Sequence, residues 1–259
     1  MGYLTDKVAA VRRELERKPL DDAANLARAL VMPPPRDFAG ALRRRTPAVI
    51  AEVKRASPSA GAIAPDRDPV ELARAYAGAG AAAISVLTDH DDFGGSLGDL
   101  RAIRVVTDLP LLRKDFLVHP SQLIEARASG ADAVLLIAAC LSADELAALL
   151  GVATDLGIGT LVETHSPMDL DKALASSARV VGVNARDLET LDVDVELALD
   201  LLRRVPEDRI AVMESGLSTR TQVEAAVAAG ASAILVGEAL MRATDPGTKL
   251  RELIGGTPT

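Results

Sequence analysis

The feature that most constrains the fold is a regular alternation of two kinds of segment from residue 47 onward. Short apolar runs rich in Val, Ile and Leu alternate with longer stretches whose apolar residues recur with helical spacing. Several runs lack polar residues at alternate positions, which indicates burial on both faces and a parallel sheet covered by helices. The runs are 48–53, 83–87, 110–113, 133–137, 159–163, 179–183, 210–214 and 233–236.

The stretches between these runs have the length and periodicity of connecting helices. They are 69–79, 97–106, 120–129, 142–156, 167–176, 194–204, 219–229 and 246–254. Eight strand–helix units in about 210 residues, with no linker, favour a closed α/β barrel, the (β/α)8 TIM barrel. An open doubly wound sheet would be expected to carry a glycine-rich nucleotide loop after its first strand, and this chain has none.

Residues 1–46 lie outside the repeating pattern. Apolar periodicity predicts helices at 4–16 and 22–31, and the run Pro33–Pro35 predicts an extended connection after them. We therefore expect an N-terminal helical extension at 1–46 and a barrel at 47–259, together forming one domain. Such an extension can close the bottom of the barrel or border the rim of its mouth, and the sequence leaves both arrangements open.

Charge and cysteine content limit the partners and the compartment. The 29 Lys and Arg against 37 Asp and Glu give a net charge of −8, so we expect neither nucleic acid nor membrane as a partner. The single cysteine, Cys140, rules out an internal disulfide and fits a reducing compartment. No signal peptide or span of about 20 apolar residues is present. We expect a cytoplasmic monomer or weak homo-oligomer.

Charged and polar residues gather at the carboxyl ends of the predicted strands, where barrel enzymes carry their reacting groups. Glu52 and Lys54 are two residues apart, as are Lys114 and Phe116, so each pair should share a face. Any one of these charges is explained equally well by contact with solvent. Acid, base and cation together favour acid–base chemistry on an anionic substrate. The candidates to converge are Glu52, Lys54, Lys114, Glu163, Asn184, Arg186 and Glu214.

Serines and glycines follow the first and the last two strands. Ser57 comes after the first strand, Ser215–Gly216 after the seventh, and Gly237 after the eighth, just before a short helical turn. A phosphate subsite and ordinary turns explain this pattern about equally well. Phe93 and Phe116 follow the second and third strands, where they could hold an aromatic ring or simply pack on the rim.

The histidines and the acidic segment TDHDDFGGS give little sign of a metal site. His90, His119 and His165 have no metal-ligand spacing, and we expect neither metal nor cofactor. The acidic segment, residues 88–96, is expected to be a solvated loop. The motifs HExxH, GxSxG, GxxxxGK and CxxC do not occur, which argues against common zinc-protease, serine-hydrolase, nucleotide-hydrolase and redox chemistries.

Seven segments resemble the motifs of the indole-3-glycerol phosphate synthase family, in order, over about residues 48–242. They are EVKRASPS (52–59), VLTDHDDFGGS (86–96), LRKDF (112–116), LVETH (161–165), GVNARDL (182–188), ESG (214–216) and VGEALM (236–241). The resemblance implies ring closure of 1-(2-carboxyphenylamino)-1-deoxyribulose 5-phosphate, with loss of CO₂ and water, to indole-3-glycerol phosphate in tryptophan biosynthesis. It implies a small-molecule sugar-phosphate substrate and no cofactor or metal.

The resemblance also implies a role for each matched residue. Lys114 matches the general acid and Glu163 the general base. Lys54 matches the lysine that holds the substrate carboxylate and can share the acid role, and Glu52 matches the carboxylate that positions it. The substrate-cavity positions are Asn184, Arg186, Glu214 and Ser215, with Pro58, Phe93 and Phe116 at the aromatic ring. The phosphate positions are Ser57, Gly216, Gly237 and the backbone of Glu238.

The chain departs from the usual family pattern at Ala60, Thr164, Ala185 and Met213. None of these departures removes a proposed acid, base or phosphate ligand, although Thr164 and Met213 could reshape the cavity. Three alternatives stay open: a sugar-phosphate isomerase or a Schiff-base aldolase with Lys114 or Lys54 as nucleophile, a catalytically silent binding barrel, and a paralogue that runs the same reaction in a specialised pathway.

Overall fold

A computed structural model describes residues 2–255, in which eight parallel strands close into a barrel. The strands are β1 Ala48–Val53, β2 Ala83–Leu87, β3 Leu111–Lys114, β4 Ala133–Ile137, β5 Gly159–Thr164, β6 Val180–Asn184, β7 Ile210–Glu214 and β8 Ala233–Val236. Each pairs with its neighbours in chain order, and β8 pairs with β1. The predicted (β/α)8 TIM barrel is confirmed. The last residues of its predicted range, 256–259, lie outside the described residues.

Helices fill the connections and cover the outer face of the barrel. They are α1 Tyr3–Arg17, α2 Asp22–Val31, α3 Phe38–Arg43, α4 Pro69–Gly78, α5 His90–Phe93, α6 Leu97–Val106, α7 Pro120–Ala128, α8 Ala143–Asp155, α9 Pro167–Ala175, α10 Val195–Leu202, α11 Arg220–Ala228, α12 Glu238–Arg242 and α13 Pro246–Ile254. Capping boxes begin α7, α8, α9 and α11, and satisfy backbone groups at those helix starts. Within residues 2–255, no helix combines the length and apolar character needed to span a membrane.

The N-terminal extension reaches both ends of the barrel. At the mouth, the backbone N–H groups of Tyr3 and Leu4 donate to the carbonyls of Glu189 and Leu188, each at 3.1 Å. At the bottom, Phe38 of α3 is buried against Gly159 at the start of β5. Both arrangements left open by the sequence therefore occur together. We propose that the extension and the barrel form one domain, because Leu4 and Phe38 belong to the core shared with the strands.

The buried carboxylate of Asp132 joins the extension to the base of the barrel. It lies just before β4 and accepts hydrogen bonds from the backbone N–H groups of Arg36 and Leu111, both at 2.8 Å. The oxygen that accepts from Leu111 also pairs with the guanidinium of Arg104. Arg36 in turn donates to the carbonyl of Leu109. One carboxylate thus holds the segment after α2 against the start of β3.

Asp132→Ala is expected to lower the free energy of unfolding by about 3 kcal/mol, because it leaves the Arg104 guanidinium and two backbone donors without their acceptor. Urea unfolding at pH 7 measures this change. The matched control is Asp108→Ala, since Asp108 pairs with Arg36 but is fully exposed; its loss should cost less than about 1 kcal/mol. Equal losses in the two variants would contradict the anchoring role of Asp132.

Candidate active site

Two adjoining clefts open at the carboxyl ends of the strands. The larger, of about 690 Å³ open to solvent, is lined by residues from nearly every strand end. Of the predicted site residues it contains Glu52, Lys54, Ser57, Pro58, Phe93, Lys114, Phe116, Glu163, Asn184, Arg186 and Ser215. The smaller cleft, of about 450 Å³, shares five of these and adds Gly216, Gly237 and Glu238. Ser57 lines the larger cleft and not the smaller one, while Glu214 lies buried beneath both.

The ammonium of Lys114 lies at the centre of three carboxylates. Its Nζ is 3.3 Å from Glu52 Oε2, 3.6 Å from Glu214 Oε2 and 3.9 Å from Glu163 Oε2. These four residues lie on β1, β3, β5 and β7, and alternate strands of such a barrel contribute side chains to one interior layer. A second ammonium, that of Lys54, is 3.3 Å from Glu52 Oε1. The geometry brings the four predicted acid–base residues together.

The electrostatics of this layer keep Lys114 charged. Burial alone would lower the pKa of Lys114, but Glu52, Glu163 and Glu214 outweigh it and hold that pKa above its ordinary value. Burial likewise opposes ionisation of Glu52, yet Lys114 and Lys54 hold the pKa of that carboxyl below its usual range. Because a Schiff base forms from a free amine, a stably protonated Lys114 suits proton donation better than nucleophilic attack.

The polar wall between the clefts is built by turns after β6 and β7. The side-chain oxygen of Asn184 accepts a 3.0 Å hydrogen bond from the backbone N–H of Arg186, whose guanidinium donates to the carbonyl of Leu191 at 2.7 Å. Ser215 and Gly216 both adopt left-handed conformations, with φ of +63° and +70°. A left-handed serine is uncommon and costs backbone energy. This turn places Ser215 on the wall of both clefts.

The aromatic wall of the larger cleft includes a residue that sequence reasoning missed. The rings of Phe93 and Phe116 lie 6.3 Å apart, and the ring of Tyr3 meets Phe116 edge-on at 6.2 Å. Tyr3 comes from α1 and lines the cleft. Its hydroxyl donates to Asp92 Oδ2 at 2.9 Å, and burial together with Asp92 raises the pKa of Tyr3. No pattern in the sequence links residue 3 to the strand ends.

The expectation of a solvated acidic loop is wrong for half of that segment. His90 and Asp91 are exposed as expected, but Asp89 and Asp92 each lie 2.7 Å from the ammonium of Lys7. These ion pairs attach α1 to the loop after β2. The acidic residues therefore hold the extension at the mouth of the barrel, and the signal available in the sequence was only an unpaired cluster of like charges.

The residues that flank Lys114 form a separate network at the end of β3. Asp115 accepts hydrogen bonds from Thr88 at 2.5 Å, from Arg113 at 3.0 Å and from the backbone N–H of Phe116 at 2.9 Å. Arg113 also pairs with Glu125 of α7 at 2.9 Å. This network fixes the strand end from which Lys114 points inward.

Two of the four residues that depart from the usual family pattern lie away from the clefts. Thr164 and Met213 are buried, and neither lines the cavity. The Thr164 hydroxyl donates to the carbonyl of Gly182 at 2.8 Å. Each residue directly neighbours an inward-facing glutamate, Glu163 or Glu214, so strand alternation turns its own side chain outward. The expectation that they could reshape the cavity is therefore not supported.

Comparisons with known proteins agree with the motifs at these strand ends. A family model described as indole-3-glycerol phosphate synthase matches residues 2–253. A protein of that name from Nocardioides sp. is 49% identical over 257 residues, which cover 98% of this chain and 99% of the relative. One from Micrococcus luteus is 48% identical, with 97% and 96% covered. A Streptomyces coelicolor protein named indole-3-glycerol phosphate synthase 2 is 48% identical, with 98% and 99% covered.

Among solved structures, a chain of the tryptophan synthase a2b2 complex from Pyrococcus furiosus superposes with a TM-score of 0.63. It is 20% identical, and the match covers 82% of this chain and 99% of that one. At this identity the likeness supports the barrel fold alone. The family match and the relatives of nearly half-identical sequence both span almost the whole chain. The chain belongs to the indole-3-glycerol phosphate synthase family.

Proposed function

We propose that this chain closes the indole ring of indole-3-glycerol phosphate from 1-(2-carboxyphenylamino)-1-deoxyribulose 5-phosphate. The observation that carries the proposal is the side-chain nitrogen of Lys114 held 3.3 to 3.9 Å from Glu52, Glu163 and Glu214 in the mouth of the barrel. Ring closure needs an acid at the substrate carbonyl, and dehydration needs an acid at the leaving hydroxyl and a base at the carbon that loses a proton. Acid and base stand within one cavity here.

In this proposal Lys114 donates a proton to the substrate carbonyl while the ring carbon that bears the carboxylate attacks it. Loss of CO₂ restores the aromatic ring, and the electron pair of the broken bond returns to it. The hydroxyl then leaves as water after accepting a second proton, and Glu163 removes one proton. Two protons enter and one leaves, so each turnover of the ionised substrate consumes one proton from solution.

The remaining residues would bind and orient the substrate. Lys54 lies between the clefts and is placed to pair with the substrate carboxylate, with Glu52 holding it at 3.3 Å. Phe93, Phe116 and Pro58 would enclose the aromatic ring. Asn184, Arg186 and Ser215 would contact the sugar chain. The phosphate would lie against Gly216, Gly237 and the Glu238 backbone in the smaller cleft, with Ser57 approaching from the larger one.

The direct test supplies purified protein with the carboxyphenylamino substrate and follows indole fluorescence without added metal or nucleotide. Steady turnover is expected, and its absence would reject the proposed reaction. Borohydride added with a keto-sugar phosphate separates the aldolase alternative, because only a Schiff base would be trapped as a covalent adduct. Sedimentation of the same sample tests the expected monomer or weak homo-oligomer, and cell fractionation tests the expected cytoplasmic location.

Gly216→Ala is expected to raise KM and to weaken inhibition by inorganic phosphate, each by roughly tenfold, which is about 1.4 kcal/mol of lost binding. The new Cβ would lie 2.8 Å from Val195 Cγ2 in a left-handed turn at the edge of the smaller cleft. The matched control is Gly157→Ala, which has φ of +69° but only one atom, 4.0 Å away, near its new Cβ. Both variants should lose about 1 kcal/mol of stability. An unchanged KM in Gly216→Ala would argue against this phosphate site.

A further inference from the structure

The charges gathered in and just below the clefts do not balance if every group ionises. Glu52, Glu163 and Glu214 face two ammonium groups, those of Lys54 and Lys114. The three glutamates are only 2%, 3% and 1% exposed. An uncompensated negative charge is costly in such a site, and a carboxylate commonly escapes this cost by taking up a proton.

The surrounding groups do not change this excess of three carboxylates over two ammonium groups. Cys140 lies near Glu163, but burial and that carboxylate raise the pKa of its thiol to about 12, so it stays neutral. Arg186 lines both clefts, but its guanidinium donates to the carbonyl of Leu191 and, among residues 2–255, forms no ion pair with any of the three glutamates. Glu52 lies 3.3 Å from both ammonium groups and is therefore the best compensated of the carboxylates. The extra proton belongs to the other two.

Gly182 places those two carboxylates beside each other. It is the register partner of Glu163 on the neighbouring strand. A Cβ built on Gly182 would lie 2.1 Å from Glu214 Oε1, so the carboxyl of Glu214 occupies the space that a side chain would fill. There it faces Glu163 across the strand register, and both carboxyls approach the ammonium of Lys114, Glu214 at 3.6 Å and Glu163 at 3.9 Å. Two carboxyl groups can share a hydrogen bond only when one of them carries a proton.

Glu214 is the member better suited to hold the proton. Among residues 2–255, no donor hydrogen-bonds to either of its buried oxygens, and its distance of 3.6 Å from Lys114 Nζ is longer than a hydrogen bond. Burial and the neighbouring Glu163 raise the pKa of Glu214 well above its ordinary value of 4.5, and Lys114 offsets this only in part. Glu163, in contrast, lines the cleft where a base is needed.

We infer that Glu163 and Glu214 form a carboxyl pair that holds one proton in the resting protein, with Gly182 and Glu214 as positioning residues that keep it beside Lys114. The use of this proton rests on the proposed function. After Lys114 has given its proton to the substrate carbonyl, the O–H bond of Glu214 breaks and the lone pair of the neutral Lys114 amine forms a new N–H bond. The pair thus supplies the proton that each turnover consumes and later regains it from solvent.

Infrared spectroscopy of the substrate-free protein at pH 7 tests the resting state. The wild-type minus Glu214→Gln difference spectrum is expected to show the carbonyl stretch of one protonated carboxylic acid. The band should disappear as the pH is raised through the pKa of Glu214. The control is Glu207→Gln, an exposed glutamate, whose difference spectrum should lack the band. If the wild-type minus Glu214→Gln spectrum also lacks it at pH 7, the inference is overturned.

The pH dependence of unfolding gives an independent readout. Because the folded protein holds a proton that unfolded Glu214 has lost above about pH 4.5, wild-type stability should fall as pH rises from there to the folded-state pKa. In Glu214→Gln, the decrease in the free energy of unfolding with pH should be smaller over this range, by the slope that corresponds to one proton. If Glu214→Gln does not fold, Gly182→Ala should shift the infrared band, because its Cβ displaces the carboxyl from Glu163. An unchanged band would contradict the contact.

A single-turnover experiment with a pH indicator tests the catalytic use. In the wild type, uptake of one proton per active site from solvent should lag behind product formation, because the pair supplies the proton first. In Glu214→Gln, proton uptake and product formation should coincide. If they also coincide in the wild type, the proposed proton transfer from Glu214 to Lys114 is rejected. The infrared and unfolding measurements need no substrate. If the wild type shows no turnover, the proposed function is rejected, and the two substrate-free measurements still decide whether the carboxyl pair holds a proton.

Discussion

Lys114→Ala is expected to lower kcat by about a hundredfold or more, the usual scale for loss of a general acid. Lys114 is the one residue whose ammonium contacts Glu52, Glu163 and Glu214 together within the described residues 2–255. Its removal therefore takes away both the proposed donor and the positive charge that the three carboxylates share. Steady-state fluorescence measures kcat and KM. The control is Lys18→Ala, an exposed residue directly after α1.

Lys114→Arg separates the two contributions of Lys114. Arginine keeps a positive charge among the carboxylates, but its guanidinium does not release a proton at ordinary pH. We expect the kcat of the arginine variant to be lower than that of the wild type by about a hundredfold or more. The arginine variant should nevertheless be more stable than the alanine variant. Near-wild-type turnover in Lys114→Arg would mean that Lys114 acts only through its charge and that the acid is another group.

Glu163→Gln is the second substitution expected to have a large effect, again a loss of about a hundredfold or more in kcat. Glutamine has nearly the same shape and can fill the same place at the end of β5, but it cannot accept the proton that the substrate must lose. The fold and KM should change little, since Glu163 is 3.9 Å from Lys114 and makes the longest of its three contacts.

The exposed Glu207 again supplies the control, as Glu207→Gln makes the same chemical change before the start of β7, outside both clefts. Rates of Glu163→Gln within a few-fold of wild type would show that the base is misassigned. In that event Glu52 is the carboxylate to replace next, because it lines both clefts. Circular dichroism and urea unfolding of each variant show whether a lost rate reflects chemistry or folding.

Much of the architecture follows from the sequence alone. Each predicted strand agrees with the observed one within one residue at either end, because buried strands are short apolar runs with clear turn signals. The helices that were missed, α3 and α5, have only six and four residues. They are too short to show a helical period. Tertiary contacts determine them instead, as with Phe38 of α3 against the bottom of the barrel.

The features of the candidate site also fall into those that the sequence predicts and those that only tertiary contacts determine. Strand alternation predicts that Glu52 and Lys54 share a face, and the family motifs identify the residues that surround them. Which carboxylates contact Lys114, and that Gly182 admits Glu214, follow from the register of neighbouring strands. Tyr3 and Lys7 reach Asp92 across about ninety residues of chain, a contact that no local pattern encodes.

By itself, the sequence determined the eight βα units, their order and the residues at the strand ends, because apolar periodicity and turn chemistry are local properties of the chain. Only the closed barrel decided which of those strand ends meet, since closure sets the stagger that puts alternate strands in one layer. It thereby placed three carboxylates around one ammonium. The protonation of these carboxylates depends on their burial together, which arises only when several strands meet.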